Sequence, residues 1–113
     1  METYRDLLVW QKAFALVPLI YRLTSELPPA EQFGLVSQMQ RASVSIPSNI
    51  AEGKKRGTKK DFAQFLRIAN GSAAELETQL MISERLYRIR AKEALSSLDE
   101  IQRMLTTLAK RLE

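Results

Sequence analysis

RASVSIPSNIAEG, residues 41–53, runs directly into KKRGTKK, residues 54–60. The first segment sets polar side chains and a proline at helical spacing, and the second contains five of the 17 lysines and arginines of the chain. The remaining residues include twelve basic and thirteen acidic ones, so the net charge of +4 originates in this one short segment. Such a concentration of charge attracts a phosphate backbone through a salt-sensitive interaction. The alternative is a solvated turn between two helices.

The composition narrows the classes of protein to which the chain can belong. Its 113 residues suit one domain, residues 1–113, with 45% hydrophobic residues to form a core. The absence of cysteine and histidine removes disulfides, the commonest metal ligands and the commonest general base. We therefore expect a protein that is not an enzyme and has neither metal nor cofactor. No apolar run approaches the ~20 residues of a membrane span and the N-terminus lacks a signal-peptide pattern, so a cytoplasmic location is expected.

Hydrophobic residues recur every three or four positions through four segments, and no segment alternates as a strand would. This pattern predicts helices at about residues 6–27, 30–55, 59–87 and 91–112. Because the three connections are short, consecutive helices must run in opposite directions. The predicted fold is therefore all-α, an antiparallel up-down four-helix bundle.

Three features modify this simple pattern. Pro18 and Pro47 lie inside the first and second helices, where proline removes a hydrogen bond and favours a bend or a break. Gly53 and Gly57 are predicted to end the second helix by relieving left-handed strain. The first and third helices also carry more apolar residues than one core requires, which indicates self-association.

A polar stripe lies beside the core positions of the second helix. Its middle consists of short hydroxyl and amide side chains, which suggest close approach by another helix. The third helix offers a candidate counterpart, because small residues there permit tight packing and buried polar groups must be hydrogen-bonded. Its residues are Asn70, Gly71, Ser72, Glu75 and Gln79. We interpret the stripe as a structural network, with a ligand site as the alternative. The predicted network comprises Gln38, Arg41, Ser45, Asn49, Glu52, Ser72 and Glu75.

Glu52 and Glu75 also raise the hypothesis of an enzyme. Two carboxylates can perform acid–base chemistry or hold a metal inside a bundle. Bundle sites of that type combine glutamate with histidine, however, and the chain has no histidine. The residues therefore favour a binding or structural protein.

The same segments resemble a known family. They resemble the four-helix-bundle family encoded in intervening sequences of bacterial large-subunit (23S) rRNA genes at RA 41–42, SIPSNIAEG 45–53, Arg56, Phe62, FL 65–66, ANGS 69–72 and ELETQL 75–80. LVWQKA at 8–13 and FGL at 33–35 extend the resemblance over nearly the whole chain. The chain is also similar to the accessory protein of diversity-generating retroelements, a basic pentameric bundle that binds nucleic acid.

The resemblance implies a homopentamer, whose cyclic symmetry would repeat the positive charge around a ring. Several copies of a weak contact can hold a polyanion more tightly than one copy. We therefore expect a homo-oligomer that binds RNA or DNA backbone and engages no membrane. The alternative is a structural or adaptor protein that engages another protein. The expected contact residues are a basic cluster of Lys54, Lys55, Arg56, Lys59 and Lys60, with Arg41 and Arg67 as additions.

Overall fold

Four long helices build the structure, a computed structural model that describes residues 3–113. A 3-10 turn at Tyr4–Asp6 precedes α1 at Leu8–Thr24, and α2 spans Ser37–Lys55. The chain continues through α3 at Lys59–Tyr87 and α4 at Lys92–Arg111. The described part of the chain contains no strand, and its helices pack against one another. The prediction of an all-α four-helix bundle is confirmed.

The order of the helices around the bundle determines which surfaces they share. α1 and α3 each pack against both α2 and α4, so α1 and α3 occupy diagonal corners. The beginning of α1, the α2–α3 turn and the end of α4 meet at one end of the bundle, here called the basic end. The largest fully buried apolar side chains are Ile20, Met39, Ile46, Ile50, Leu66, Leu76, Leu80, Leu98, Ile101 and Leu105.

The predicted helix boundaries hold for α3 and, to within one residue at each end, for α4. The prediction of residues 6–27 for the first helix is too long at both ends, because a 3-10 turn precedes α1 and a bend follows Thr24. The prediction of residues 30–55 for the second helix is wrong in its first part. There a 3-10 turn at Pro29–Glu31 leads into a π-helical segment at Gln32–Val36.

Side-chain hydrogen bonds stabilise this irregular segment. Gly34 has non-helical backbone angles, with φ −113° and ψ −110°. The Glu31 carboxylate accepts a hydrogen bond from the Leu35 N–H at 3.1 Å and another from the Tyr87 hydroxyl. These two bonds, that from Tyr87 first, hold the pKa of Glu31 below its ordinary value, and the bond to Glu31 raises the pKa of Tyr87. The segment is thereby tied to the end of α3.

The prolines and glycines meet the expectations only in part. α1 and α2 continue through Pro18 and Pro47, so neither proline ends its helix. Gly57 has the predicted positive φ, at 89°. Gly53 instead lies inside α2, where a Cβ atom would stand 2.5 Å from the Cβ of Phe65. Its predicted role in relieving left-handed strain is therefore wrong, because close packing of α2 on α3 is what requires glycine there.

None of the helices in the described residues is long and apolar enough to span a membrane.

Candidate nucleic-acid interface

The basic cluster surrounds the turn between α2 and α3. Lys54 and Lys55 belong to the last turn of α2, and Lys59 and Lys60 begin α3. Only three residues separate the two helices, so the lysines of both helix ends are brought to the same part of the surface. Thr58 caps α3 by accepting a hydrogen bond from the Asp61 N–H at 3.1 Å.

Four of the five cations in the cluster lack an acidic partner within residues 3–113. The side chains of Lys55, Lys59 and Lys60 are exposed, whereas Lys54 is half-buried with its ammonium 5.5 Å from the centroid of the Phe62 ring. This cation–π contact stabilises the ammonium group but leaves its positive charge in place. The cluster therefore keeps most of its positive charge available to a partner.

Arg56 is engaged differently from the lysines. Its guanidinium donates to the Glu52 carboxylate at 2.9 Å and lies 4.9 Å from the centroid of the Phe65 ring. Because the ion pair is about half exposed, it contributes little to stability. Arg56 must exchange Glu52 for a phosphate before it can contact nucleic acid with its full charge.

Helix stability explains the positions of only two of the four lysines. The end of a helix favours cations, so Lys54 and Lys55 are well placed in the last turn of α2. Lys59 and Lys60 occupy the first turn of α3, where the helix dipole disfavours positive charge. Asp61 is the one acidic residue in that turn. The dipole and both lysines therefore add to the positive potential around the α2–α3 turn.

Sequence reasoning missed two further cations at the basic end. Lys110 and Arg111 stand in the last turn of α4, beside Leu108 and Leu112, which line the same groove as Lys54. The two segments are far apart in sequence, and only the antiparallel topology brings them together. The predicted topology could have placed these two cations near the basic cluster, because the second and fourth helices of an up-down bundle end on the same side.

The two arginines predicted as additional contacts differ in their position relative to the cluster. Arg41 is on the same helix as Lys54, roughly 20 Å from it along the axis at 1.5 Å per residue. Arg67 lies on α3, roughly 10 Å from Lys60 along the axis, and pairs with Glu113, which follows α4 at the basic end. Arg41 is therefore separate from the basic cluster, whereas Arg67 is nearer to it with its charge paired.

The predicted polar network is centred on three residues that connect α2 and α3. The hydroxyls of Ser45 and Ser72 are 2.9 Å apart. The Asn49 amide donates to the Ser45 carbonyl oxygen at 2.8 Å and to its hydroxyl at 2.9 Å. This chain of hydrogen bonds links the two helices in a half-buried position, as expected of polar groups removed from water.

The other residues predicted for the network surround this centre without joining it through hydrogen bonds. Arg41 and Glu75 line a depression of about 370 Å³ beside Ser45 and Ser72. Gln38 accepts a long hydrogen bond, 3.4 Å, from the buried Gln79, one of the candidate partners on the third helix. Glu52 pairs with Arg56 instead. Among the described residues, no three or more acidic side chains are grouped so as to hold a metal ion.

An apolar groove of about 400 Å³ runs between α1 and α2. Trp10 and Phe14 stack along it with ring centroids 4.8 Å apart, although Phe14 remains 58% exposed. Val17, Val44 and Pro47 complete much of its wall. The groove therefore presents aromatic and aliphatic surface on the outside of the bundle.

A second apolar surface follows α3. Ile82 and Leu86 are neighbours at i,i+4 spacing, Ile68 lies on the same side about four turns earlier, and each of the three is exposed. These residues are those that the sequence pattern left outside the core. Since α1 and α3 are diagonal, this row lies on a different face of the bundle from the apolar groove.

Comparisons with known proteins agree with this architecture. The chain matches the family model of the 23S rRNA-intervening sequence protein over residues 5–109. It is also similar to a solved structure of a protein with unknown function from the S23 ribosomal protein family of Bacteroides thetaiotaomicron. That similarity has 26% sequence identity and a TM-score of 0.83, and it covers 91% of this chain and 99% of the other. A comparison with curated proteins gave no match. The chain therefore belongs to the family of 23S rRNA-intervening sequence proteins.

Proposed function

We propose that this protein is a non-enzymatic, cytoplasmic homo-oligomer that binds the phosphate backbone of RNA or DNA through its basic end. The observation that carries the proposal is the group of four lysines around the α2–α3 turn that have no acidic partner within residues 3–113. Two of them stand where the dipole of α3 adds to the positive potential. A polyanion is the partner that such a surface attracts most strongly.

Wild-type protein should bind a structured RNA at low salt and release it as the salt concentration rises. Binding to phosphates displaces condensed counterions, so the logarithm of the association constant should fall linearly with the logarithm of the salt concentration. The expected slope is about −0.7 to −0.9 for each phosphate neutralised. Filter binding across a salt series measures it. Failure to retain RNA at low salt would contradict the proposal.

The two apolar surfaces support self-association in a particular arrangement. One is a groove between α1 and α2, and the other is a row along α3. A contact between two different surfaces is head-to-tail, and repetition of such a contact closes into a ring when the rotation allows it. A ring of five subunits, as the family resemblance implies, would repeat the basic end with the same symmetry and add the contributions of the copies.

Phe14→Glu should dissociate this assembly. A charge in the middle of the apolar groove would have to be buried on association, whereas in a single protomer the side chain is 58% exposed and the fold tolerates it. Light scattering of the wild type should give a mass about five times that of the 12.9 kDa chain, and the variant should approach one chain. Phe33→Glu is the matched control, because Phe33 is 90% exposed and lies outside the groove.

A wild-type mass of one chain would overturn the assembly. The adaptor hypothesis would then be favoured, because the apolar groove would be free to bind a different protein.

A further inference from the structure

A groove of about 310 Å³ opens at the basic end, where α1, the α2–α3 turn and α4 meet. Buried Leu7 and Phe62 form its floor, and half-buried Leu108 and Leu112 contribute apolar wall. The remaining lining residues are Lys54, Gly57, Thr58 and Lys59. The groove therefore combines an apolar interior with two ammonium groups.

The chemistry of the lining defines the class of ligand. The volume falls at the low end of the range for small-molecule sites, roughly 300–1,000 Å³. Neither Lys54 nor Lys59 has an acidic partner in the described residues. A complementary ligand has a compact, flat, weakly polar part and a negative charge next to it. A nucleobase with its flanking phosphates has this combination.

We propose that this groove, the base slot, receives one unpaired base of a bound nucleic acid. The base lies against Leu108 and Leu112, and its flanking phosphates contact Lys54 and Lys59. This inference rests on the proposed function, because the basic end must first hold the backbone. A base within a duplex would have to be unpaired and unstacked before it entered, so loops and bulges are favoured over continuous helices.

The slot favours an unpaired base without identifying it. Phe62 is only 6% exposed, so its ring cannot serve as a stacking platform. Thr58 supplies the one side-chain hydroxyl, whose oxygen accepts a hydrogen bond from the Asp61 N–H and whose proton remains free to donate. A single hydroxyl beside the two lysines is too small a set of polar groups to recognise a particular base by hydrogen bonds.

The test compares two RNA hairpins of equal length and phosphate number, one fully paired and one with an internal loop of mismatched bases. Wild-type protein should bind the looped hairpin about tenfold more tightly, as burial of one base against apolar side chains can supply. Leu112→Gln removes apolar wall without a change in charge, and it should abolish that preference. Its affinity for the paired hairpin should stay unchanged, which also reports that the variant is folded.

Leu8→Gln is the matched control, since Leu8 is an exposed leucine at the beginning of α1 that lines neither the slot nor the apolar groove. It should retain the tenfold preference. Equal binding of both hairpins by the wild type would overturn the base slot and leave the proposed function standing. Persistence of the preference in Leu112→Gln would also overturn the slot. Failure of the wild type to bind either hairpin at low salt would overturn both proposals.

Discussion

Replacement of Lys54, Lys55, Lys59 and Lys60 by glutamate should reduce the affinity for RNA by at least ~10²-fold at moderate salt. Each protomer loses four cations and gains four anions at the surface proposed to face the phosphates, so attraction becomes repulsion. In an oligomer the change is repeated in each subunit. Filter binding of the RNA used for the wild type measures the loss.

The stability of the fold should respond to these substitutions in two opposite ways. Lys59→Glu and Lys60→Glu place anions at the beginning of α3, where the helix dipole favours them by about 0.3–1 kcal/mol each. Lys54→Glu and Lys55→Glu place anions at the end of α2, where the dipole disfavours them by a similar amount. The first pair should raise the thermal midpoint and the second should lower it, whereas both pairs should weaken RNA binding. Weaker RNA binding by a pair of substitutions that raises the thermal midpoint would result from the changed surface charge and not from unfolding.

A charge-matched control distinguishes the basic cluster from net charge. Arg22, Arg85, Arg90 and Lys92 are exposed cations outside the basic end, and none has an acidic partner within the described residues. Their replacement by glutamate changes the net charge by the same amount. It should reduce RNA affinity far less than reversal of the lysines. Equal losses from the two sets would show that net charge, rather than the α2–α3 turn, governs binding.

The boundaries of α3 could be predicted because local chemistry marks both of its ends. Thr58 accepts a hydrogen bond from the Asp61 N–H and so caps the helix, a role that its residue type already suggests. At the other end, the apolar pattern stops at Arg88, which takes a left-handed conformation with φ 57°. Where nearby residues provide the hydrogen bonds of the terminal backbone groups, the end of a helix can be predicted from the sequence.

The beginning of α2 could not be predicted, because its geometry depends on a partner distant in sequence. Glu31 accepts hydrogen bonds from both Leu35 and Tyr87, and the second of these residues is at the end of α3. The hydrophobic pattern continues smoothly through residues 32–36 and so indicates an ordinary helix. A π-helical turn with an irregular glycine has no comparable periodic signature.

The sequence identified surplus apolar residues on α1 but not which of them faces the core. Two rows, at three- and four-residue spacing, fit a helix equally well. In the bundle, the row with Val9, Ala13 and Ile20 is buried, whereas Phe14 and Tyr21 in the other row are exposed. Which row is buried depends on how α2 and α4 pack against α1. The spacing of apolar residues along α1 does not reveal this packing.

One part of the candidate site could likewise be predicted from the local sequence, whereas another part depends on the whole fold. The five residues of the basic cluster are nearly contiguous, so composition alone locates them. The groove that joins the cluster to Leu108 and Leu112 requires the topology of the whole bundle.

Gly53→Ala should destabilise the protomer, although alanine is ordinarily the better residue inside a helix by about 1 kcal/mol. A Cβ atom at this position would lie 2.5 Å from the Cβ of Phe65 and 3.3 Å from Cδ1 of Phe62. The first of these neighbours is fixed to the backbone of α3 and cannot rotate away. The two helices would have to separate, so we expect a net loss of about 1–3 kcal/mol.

Gly71→Ala is the matched control, because Gly71 lies within α3 and a Cβ there would meet no atom of the protomer within 4 Å. It should stabilise the protomer by about 0.5–1 kcal/mol through helix propensity alone. Both substitutions are best made in the Phe14→Glu background, so that unfolding reports on the protomer rather than on its assembly. Thermal unfolding should then show shifts of opposite sign, with roughly 4 °C for each kcal/mol in a domain of this size.

The sign of the Gly53→Ala shift discriminates between two reasons for a glycine at this position. If Gly53 served to end α2, alanine would disturb only the last turn and leave the packing of α3 intact. If close packing requires it, alanine displaces the helix that carries Phe62 and Phe65, whose rings contact Lys54 and Arg56. RNA affinity should then fall together with stability. A variant as stable as the wild type would contradict the close contact between α2 and α3.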